Sequence, residues 1–118
     1  MWEVDVSLIE DWLLGLDQDD YDLIIAALEV LAEEGPTLGR PLVDTIKASR
    51  HKNMKELRPG STGRSEIRIL FAFDPRRHAI LLVAGDKAGK WQRWYARQLP
   101  LADDLFDQHL NKLGRRKR

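Results

Sequence analysis

The sequence predicts an α+β fold in which a small antiparallel or mixed β-sheet packs against two N-terminal helices and one C-terminal helix. Hydrophobic residues recur at helical spacing before residue 35 and after residue 100. Between residues 53 and 84 they alternate with polar residues or form short apolar runs, as in β-strands. The chain has 118 residues and 43% hydrophobic content, which suits a single core. We therefore expect one domain over residues 1–114 and a disordered basic tail over residues 115–118.

The N-terminal third is predicted to hold one strand and two helices. Apolar and acidic residues alternate over residues 2–6, which predicts a short strand. Ser7 and Glu10 have the spacing of a capping box, so the first helix is predicted to begin at Ser7. Asp17 is predicted to cap the second helix. That helix should end at Gly35, which a proline follows.

The rest of the chain is predicted to supply the sheet and the last helix. Strands are predicted over residues 53–58, 65–74 and 78–84. Residues 42–46 fit either an extended segment or a short helix, and residues 91–98 fit either a strand or one or two helical turns. Pro100 is predicted to open the last helix and Gly114 to end it.

A formal net charge of zero conceals a strong asymmetry along the chain. Residues 1–39 contain eleven acids and no Lys or Arg, whereas residues 40–100 contain fourteen bases and five acids. Such asymmetry predicts a surface that binds a polyanion, unless folding intermixes the two signs. We expect the bases to gather on an open face of the sheet, beside or opposite the acidic helices.

Several classes of function are excluded by composition and motif content. The chain has no Cys, which excludes thiol nucleophiles and disulfides and favours a reducing cytoplasm. Its apolar runs are too short to span a bilayer, and it does not open with a basic and apolar signal region. No glycine-rich phosphate loop occurs, and the three His are too far apart for a typical metal motif. We therefore expect no metal, no cofactor and no membrane partner.

Basic and aromatic residues share the region that carries the predicted strands. Cations neutralise phosphates, and aromatic rings stack on unpaired bases, so this composition favours single-stranded RNA as a ligand. The alternative is that the tryptophans here are core residues that fix the last helix. The candidate RNA-binding residues are Arg50, Lys52, Arg64, Lys90 and Trp91.

The same region could cleave RNA without a metal, because the 2′-hydroxyl of RNA can attack the adjacent phosphate. That reaction needs a proton acceptor, a proton donor for the leaving oxygen and stabilisation of the extra charge on the phosphate. Lys and Tyr can donate or accept the protons, and Arg can hold the phosphate. The candidate catalytic residues are Lys55, Arg58, Arg68, Lys87, Arg93 and Tyr95.

These residues lie in motifs that resemble the RelE/HigB superfamily of bacterial toxins, with its phage-derived Gp49-like (HigB-type) branch most similar. The motifs are the Lys-Glu-Leu-Arg run over residues 55–58, the strand around Arg68, the Gly-Asp-Lys run over residues 85–87 and the aromatic segment over residues 91–95. The resemblance implies a RelE-like fold and a ribosome-dependent mRNA endoribonuclease, the toxin of a type II toxin–antitoxin system. It also implies two partners: mRNA in the ribosomal A site and a cognate antitoxin of the helix-turn-helix, DNA-binding type.

The resemblance further implies roles for individual residues. Arg68 matches an arginine that contacts the scissile phosphate, Lys87 matches a basic position after the penultimate strand, and Tyr95 or Trp91 matches an aromatic acid or stacking residue. Glu56 departs from the RelE-type pattern, which has a lysine there, so the identity of the general base stays open. Two alternatives remain, a ParE-like toxin that poisons DNA gyrase without nuclease activity and an inactive RNA-binding module.

Overall fold

The computed structural model describes residues 1–60, 63, 65–88 and 91–116, apart from the side chains of residues 91, 115 and 116. It confirms the α+β class, with a single mixed sheet and three helices over the described residues. In chain order the elements are β1 (Glu3–Asp5), α1 (Glu10–Leu14), α2 (Gln18–Glu34), a 3₁₀ turn (Gly35–Thr37), β2 (Val43–Thr45), β3 (Met54–Leu57), β4 (Ile67–Phe73), β5 (His78–Asp86) and α3 (Trp91–Arg116).

The sheet has the strand order β1-β5-β4-β3-β2. Strands β2 to β5 pair antiparallel, as predicted, but β1 pairs parallel with β5 and makes the sheet mixed. Residues of β5 enter hydrophobic cores on both faces of the sheet, which explains why this strand reads as a continuous apolar run. The segment at residues 42–46, which the sequence left open, contains the short edge strand β2.

Hydrophobic cores lie on both faces of the sheet. Helices α1 and α2 pack on one face, and α3 packs on the other. The first core includes Ile24, Leu31, Ile69 and Phe71, and the second includes Leu70, Leu82, Leu99 and Phe106. The prediction that one face of the sheet is open is therefore wrong. β4 and β5 are apolar on both sides, so the face opposite α1 and α2 also has to be covered.

The last helix differs most from the sequence prediction. α3 begins at Trp91 and contains Pro100 in its interior, so the proposed start at Pro100 is wrong. Proline lacks an N–H and normally interrupts a helix, and the first turns here are stabilised instead by packing against the sheet. α3 also passes Gly114 and reaches Arg116, which shortens the predicted tail. Residues 117 and 118 lie outside the described residues.

Helix ends in the N-terminal third follow the prediction in part. Asp17 caps α2, because its Oδ1 accepts a hydrogen bond of 2.9 Å from the Asp20 N–H. Gly35 ends α2 with a positive φ of 59°, and any side chain there would overlap the indole of Trp2. The capping box at Ser7 is wrong: α1 begins at Glu10, and the Ser7 hydroxyl donates to the nearby Asp5 carboxylate instead.

The ion pairs described for Lys and Arg use carboxylates outside the two N-terminal helices. Apart from Asp20, no carboxylate of α1 or α2 pairs with a Lys or Arg among the residues that the structure describes. The described part of the chain also contains no helix that is both long and apolar enough to cross a membrane.

Candidate functional site

The register of β3 against β4 brings charged side chains to the face that α3 covers. Glu56 pairs with Leu70, and Leu57 pairs with Ile69. Side chains alternate between the two faces of a strand, so Glu56 lies on the same face as Leu70, which belongs to the core beneath α3. Arg58 follows the last residue of β3, and Arg68 lies two residues before Leu70 in β4. Both approach the Glu56 carboxylate.

The first turns of α3 cover this group of charges. The indole of Trp94 lies so close to Gly85 that a Cβ on this glycine would be 2.5 Å from the indole nitrogen. Gly85 is the β5 partner of Arg68, so this contact places the start of α3 directly over the arginine. The neighbouring Tyr95 points into the site, where its hydroxyl donates a hydrogen bond to Oε2 of Glu56.

Glu56 is the centre of the resulting cluster. Its carboxylate is fully buried, and Oε1 accepts a hydrogen bond of 2.9 Å from Nε of Arg58. Nε of Arg68 lies 3.6 Å from the same oxygen, a distance too long for a hydrogen bond. Arg68 donates instead through Nη1 to the carbonyl of Ile67. We call these four residues, Glu56, Arg58, Arg68 and Tyr95, the Arg–Glu–Tyr network.

The network favours protonated forms of its basic and phenolic groups. Burial raises the pKa of Tyr95 well above its ordinary value, and the hydrogen bond to Glu56 raises it further. The hydrogen bond to Glu56 likewise raises the pKa of Arg58. At neutral pH the site therefore presents a phenol that keeps its proton beside two cationic guanidinium groups.

Two further candidates lie at the rim of the network. Nζ of Lys87 is 5.7 Å from the centre of the Tyr95 ring and 3.8 Å from Oε2 of Glu66. Arg93 is exposed on α3 and lines a cavity of about 310 Å³ together with Asp86, Trp94, Arg97 and Gln98.

The structure separates Lys55 from the other candidate catalytic residues. Lys55 lies on the opposite face of β3 from Glu56, and its Nζ is 3.4 Å from the hydroxyl oxygen of Thr45. It lines a second cavity, of about 560 Å³, with His51 and the predicted RNA-binding residue Lys52. These two lysines therefore belong to another part of the surface.

Arg50 also lies away from the network, at the C-terminal half of α3. It forms ion pairs with Asp103, Asp104 and Asp107, and His51 contacts Asp107 at 2.7 Å. We call these five residues the Arg50 clasp. Arg64 and Lys90 lie outside the described residues. Trp91 is the first residue of α3, but its side chain is not described.

The sequence predicted Arg58, Arg68 and Tyr95 as one group, and the structure places all three around Glu56, which the sequence prediction left out. Glu56 was interpreted as a departure from a family pattern rather than as part of the site. Its spacing of two residues from Met54 and from Arg58 could have placed it on the same face as Arg58. Among the described residues, no group of three or more His, Asp and Glu side chains could hold a metal ion.

Comparisons with known proteins agree with the motifs on which this site is built. The profile of the family described as phage-derived protein Gp49-like matches residues 11–107. A Mycobacterium tuberculosis protein named "Putative toxin HigB2" is 61% identical over 122 residues, covering 99% of this chain and 61% of that protein. The chain belongs to the Gp49-like family of HigB-type toxins.

A second relative supports the same membership over most of its own length. The protein named "Putative toxin HigB3", also from Mycobacterium tuberculosis, is 54% identical over 102 residues, covering 86% of this chain and 87% of that protein. This chain spans only 61% of the length of HigB2. No solved structure matches the chain.

Proposed function

We propose that this HigB-type toxin is a ribosome-dependent mRNA endoribonuclease that inhibits translation as the toxin of a type II toxin–antitoxin pair. The observation that carries the proposal is the Arg–Glu–Tyr network, which joins two guanidinium groups and a protonated phenol at one site. Membership in the HigB-type family supports the role of toxin. The proposed partners are mRNA in the ribosomal A site and a cognate helix-turn-helix antitoxin, and the proposed location is the cytoplasm.

In the proposed reaction, the 2′-hydroxyl of the mRNA attacks the adjacent phosphate and gives up its proton to solvent. The phosphate gains negative charge as the new P–O bond forms. In this proposal Arg58 and Arg68 donate hydrogen bonds to its non-bridging oxygens. The buried Nε of Arg68, which has no hydrogen-bond partner in the described structure, supports this role. Stabilisation of this developing charge is the largest contribution that such donors make to catalysis.

Tyr95 is the proposed proton donor in the second half of the reaction. The bond from phosphorus to the 5′-oxygen breaks, and the leaving oxygen takes the phenolic proton, which yields a 2′,3′-cyclic phosphate and a free 5′-hydroxyl. The phenol of Tyr95 is protonated at neutral pH, so it holds a proton that the leaving oxygen can take. Lys87 and Arg93 would bind neighbouring phosphates at the rim. Lys55 takes no part in this proposal, because it lies on the other face of β3.

The proposal is tested by inducing expression of the protein without antitoxin and mapping the 5′ ends of cellular mRNA. We expect new 5′ ends within the codons of translated messages and no change in DNA supercoiling. Uncut mRNA with loss of gyrase supercoiling would instead identify a ParE-like toxin. Normal growth with intact mRNA would identify an inactive RNA-binding module.

A further inference from the structure

The Glu56 carboxylate occupies the place where the proposed function puts the RNA phosphate. Its Oε1 accepts from Arg58, its Oε2 accepts from Tyr95, and Arg68 approaches within 3.6 Å. A carboxylate and a phosphodiester are both anions with oxygens that accept from guanidinium and hydroxyl donors. The groups assigned to the substrate are thus already held by an anion of the protein itself.

Glu56 is fully buried and each of its oxygens already accepts a hydrogen bond, so it exposes no oxygen to the proton of the attacking hydroxyl. Its influence has to pass through the groups that it contacts. The second carboxylate at Arg58, Asp44, lies 3.1 Å from Nη2 and is partly exposed on β2. Among the described residues, no ion pair joins Asp44 to Arg68, whereas Glu56 contacts Arg58, Arg68 and Tyr95.

We propose that Glu56 is a positioning residue with two opposing effects on RNA. It holds Arg58, Arg68 and Tyr95 in the geometry that the reaction requires, and it competes with the RNA phosphate for the same donors. This inference rests on the proposed function, since it assigns a role in that reaction. Before substrate binds, the Glu56 carboxylate is the partner of the two arginines, because a buried cation without a partner is costly. The RNA phosphate then takes over that role.

Two measurements on Glu56→Gln separate the effects. The first is equilibrium binding of a single-stranded 2′-O-methyl oligonucleotide, which cannot be cleaved, over a range of salt concentrations. The second is the rate of mRNA cleavage on programmed ribosomes at saturating toxin. We expect about tenfold tighter binding, because the phosphate no longer competes with a charged acceptor. We also expect a salt slope steeper by up to about 0.7, the effect of one additional phosphate contact.

The cleavage rate of the same variant should fall by about tenfold or more, because Tyr95 and the two arginines lose their common acceptor. Asp44→Asn is the matched control: it removes the other carboxylate from Arg58 and should leave the cleavage rate within about twofold of wild type. Glu56→Asp keeps the charge, but its side chain is one methylene shorter, so the carboxylate lies further from the three donors. It should bind with wild-type affinity and still cleave slowly.

A fall in cleavage rate with unchanged or weaker oligonucleotide binding by Glu56→Gln would overturn the inference. If Glu56→Gln does not fold, tighter binding or normal cleavage by Glu56→Asp would overturn it in the same way. Wild-type protein that binds the oligonucleotide but never cleaves mRNA on ribosomes would refute the proposed function alone. If the wild-type protein cleaves mRNA on ribosomes but Glu56→Gln binds the oligonucleotide with unchanged affinity, the role of Glu56 alone would be refuted.

Discussion

Arginines contact the two halves of α3, a pair at the first half and Arg50 at the second, and their counter-ions differ. In the Arg–Glu–Tyr network, Arg58 and Arg68 share the single carboxylate of Glu56, and Asp44 adds only a partly exposed one. In the Arg50 clasp, one arginine faces three aspartates of α3. Counted with Asp44, the two arginines of the network are balanced by two carboxylates, whereas the single arginine of the clasp is outnumbered by three. A base-rich stretch of sequence can thus divide into a proposed anion-binding site and a structural contact.

The sharpest test of this difference compares Arg68→Ala with Arg50→Ala. Arg68→Ala should lower the rate of mRNA cleavage by about 10²–10³-fold, the usual effect of removing one donor from a developing anion. Arg50→Ala should leave the cleavage rate nearly unchanged and lower the Tm, because its ion pairs fasten the segment before β3 to α3. Cleavage on programmed ribosomes and thermal unfolding measure the two effects.

Arg68→Lys provides a control for charge. It keeps the cation but loses the planar fork that binds two phosphate oxygens, so we expect a rate between those of wild type and Arg68→Ala. If Arg50→Ala abolishes cleavage while its Tm stays at the wild-type value, the assignment of Arg50 to a structural contact rather than to the site is wrong.

Local sequence patterns predicted most secondary-structure elements, because the formation of these elements depends mainly on residues that are close in sequence. The alternation in β3 to β5 and the cap at Asp17 are of this kind. The start of α3 depends instead on a contact across the fold, where Trp94 packs on Gly85 of β5. No local signal contains that contact, and Pro100 pointed to a later start.

The site shows the same limit. Motif spacing identified Arg58, Arg68 and Tyr95, which the structure brings together, but it also grouped them with Lys55 on the other face. Strand alternation alone could have separated Lys55 from Arg58. The contribution of Arg50 to the clasp could not be predicted in this way, because its aspartates lie more than 50 residues away on a helix whose rotation the sequence does not fix.

The second test concerns the contact that places α3 over the network. Gly85→Ala would bring a methyl group into the indole of Trp94 and shift the turn that carries Tyr95. We expect a loss of about 1–3 kcal/mol in the free energy of unfolding, typical of overpacking, and a clear fall in the cleavage rate. Gly39→Ala is the matched control, because nothing lies within 4 Å of an added Cβ. Equal effects of the two substitutions on unfolding and cleavage would contradict this account.

The third and smallest effect is a difference in the pH range over which each group stabilises the fold. The hydrogen bond from Arg50 lowers the pKa of Asp107 below its ordinary value of 3.8, and His51 lowers it further. A carboxylate with a lowered folded pKa stabilises the protein above its unfolded pKa, and that contribution is lost as the pH falls through the folded value. The clasp should therefore weaken in acid, at pH values below about 4.

The network should respond in the opposite direction. Tyr95 has a folded pKa raised above its ordinary value of 10.0, so its contribution is complete below that value and is lost as the pH rises further. Urea unfolding across both ranges measures these slopes. Asp107→Asn should reduce only the acid slope, and Tyr95→Phe only the alkaline one. If either substitution changed both slopes, the two ends of α3 would be coupled, and Arg50 could no longer be regarded as independent of the site.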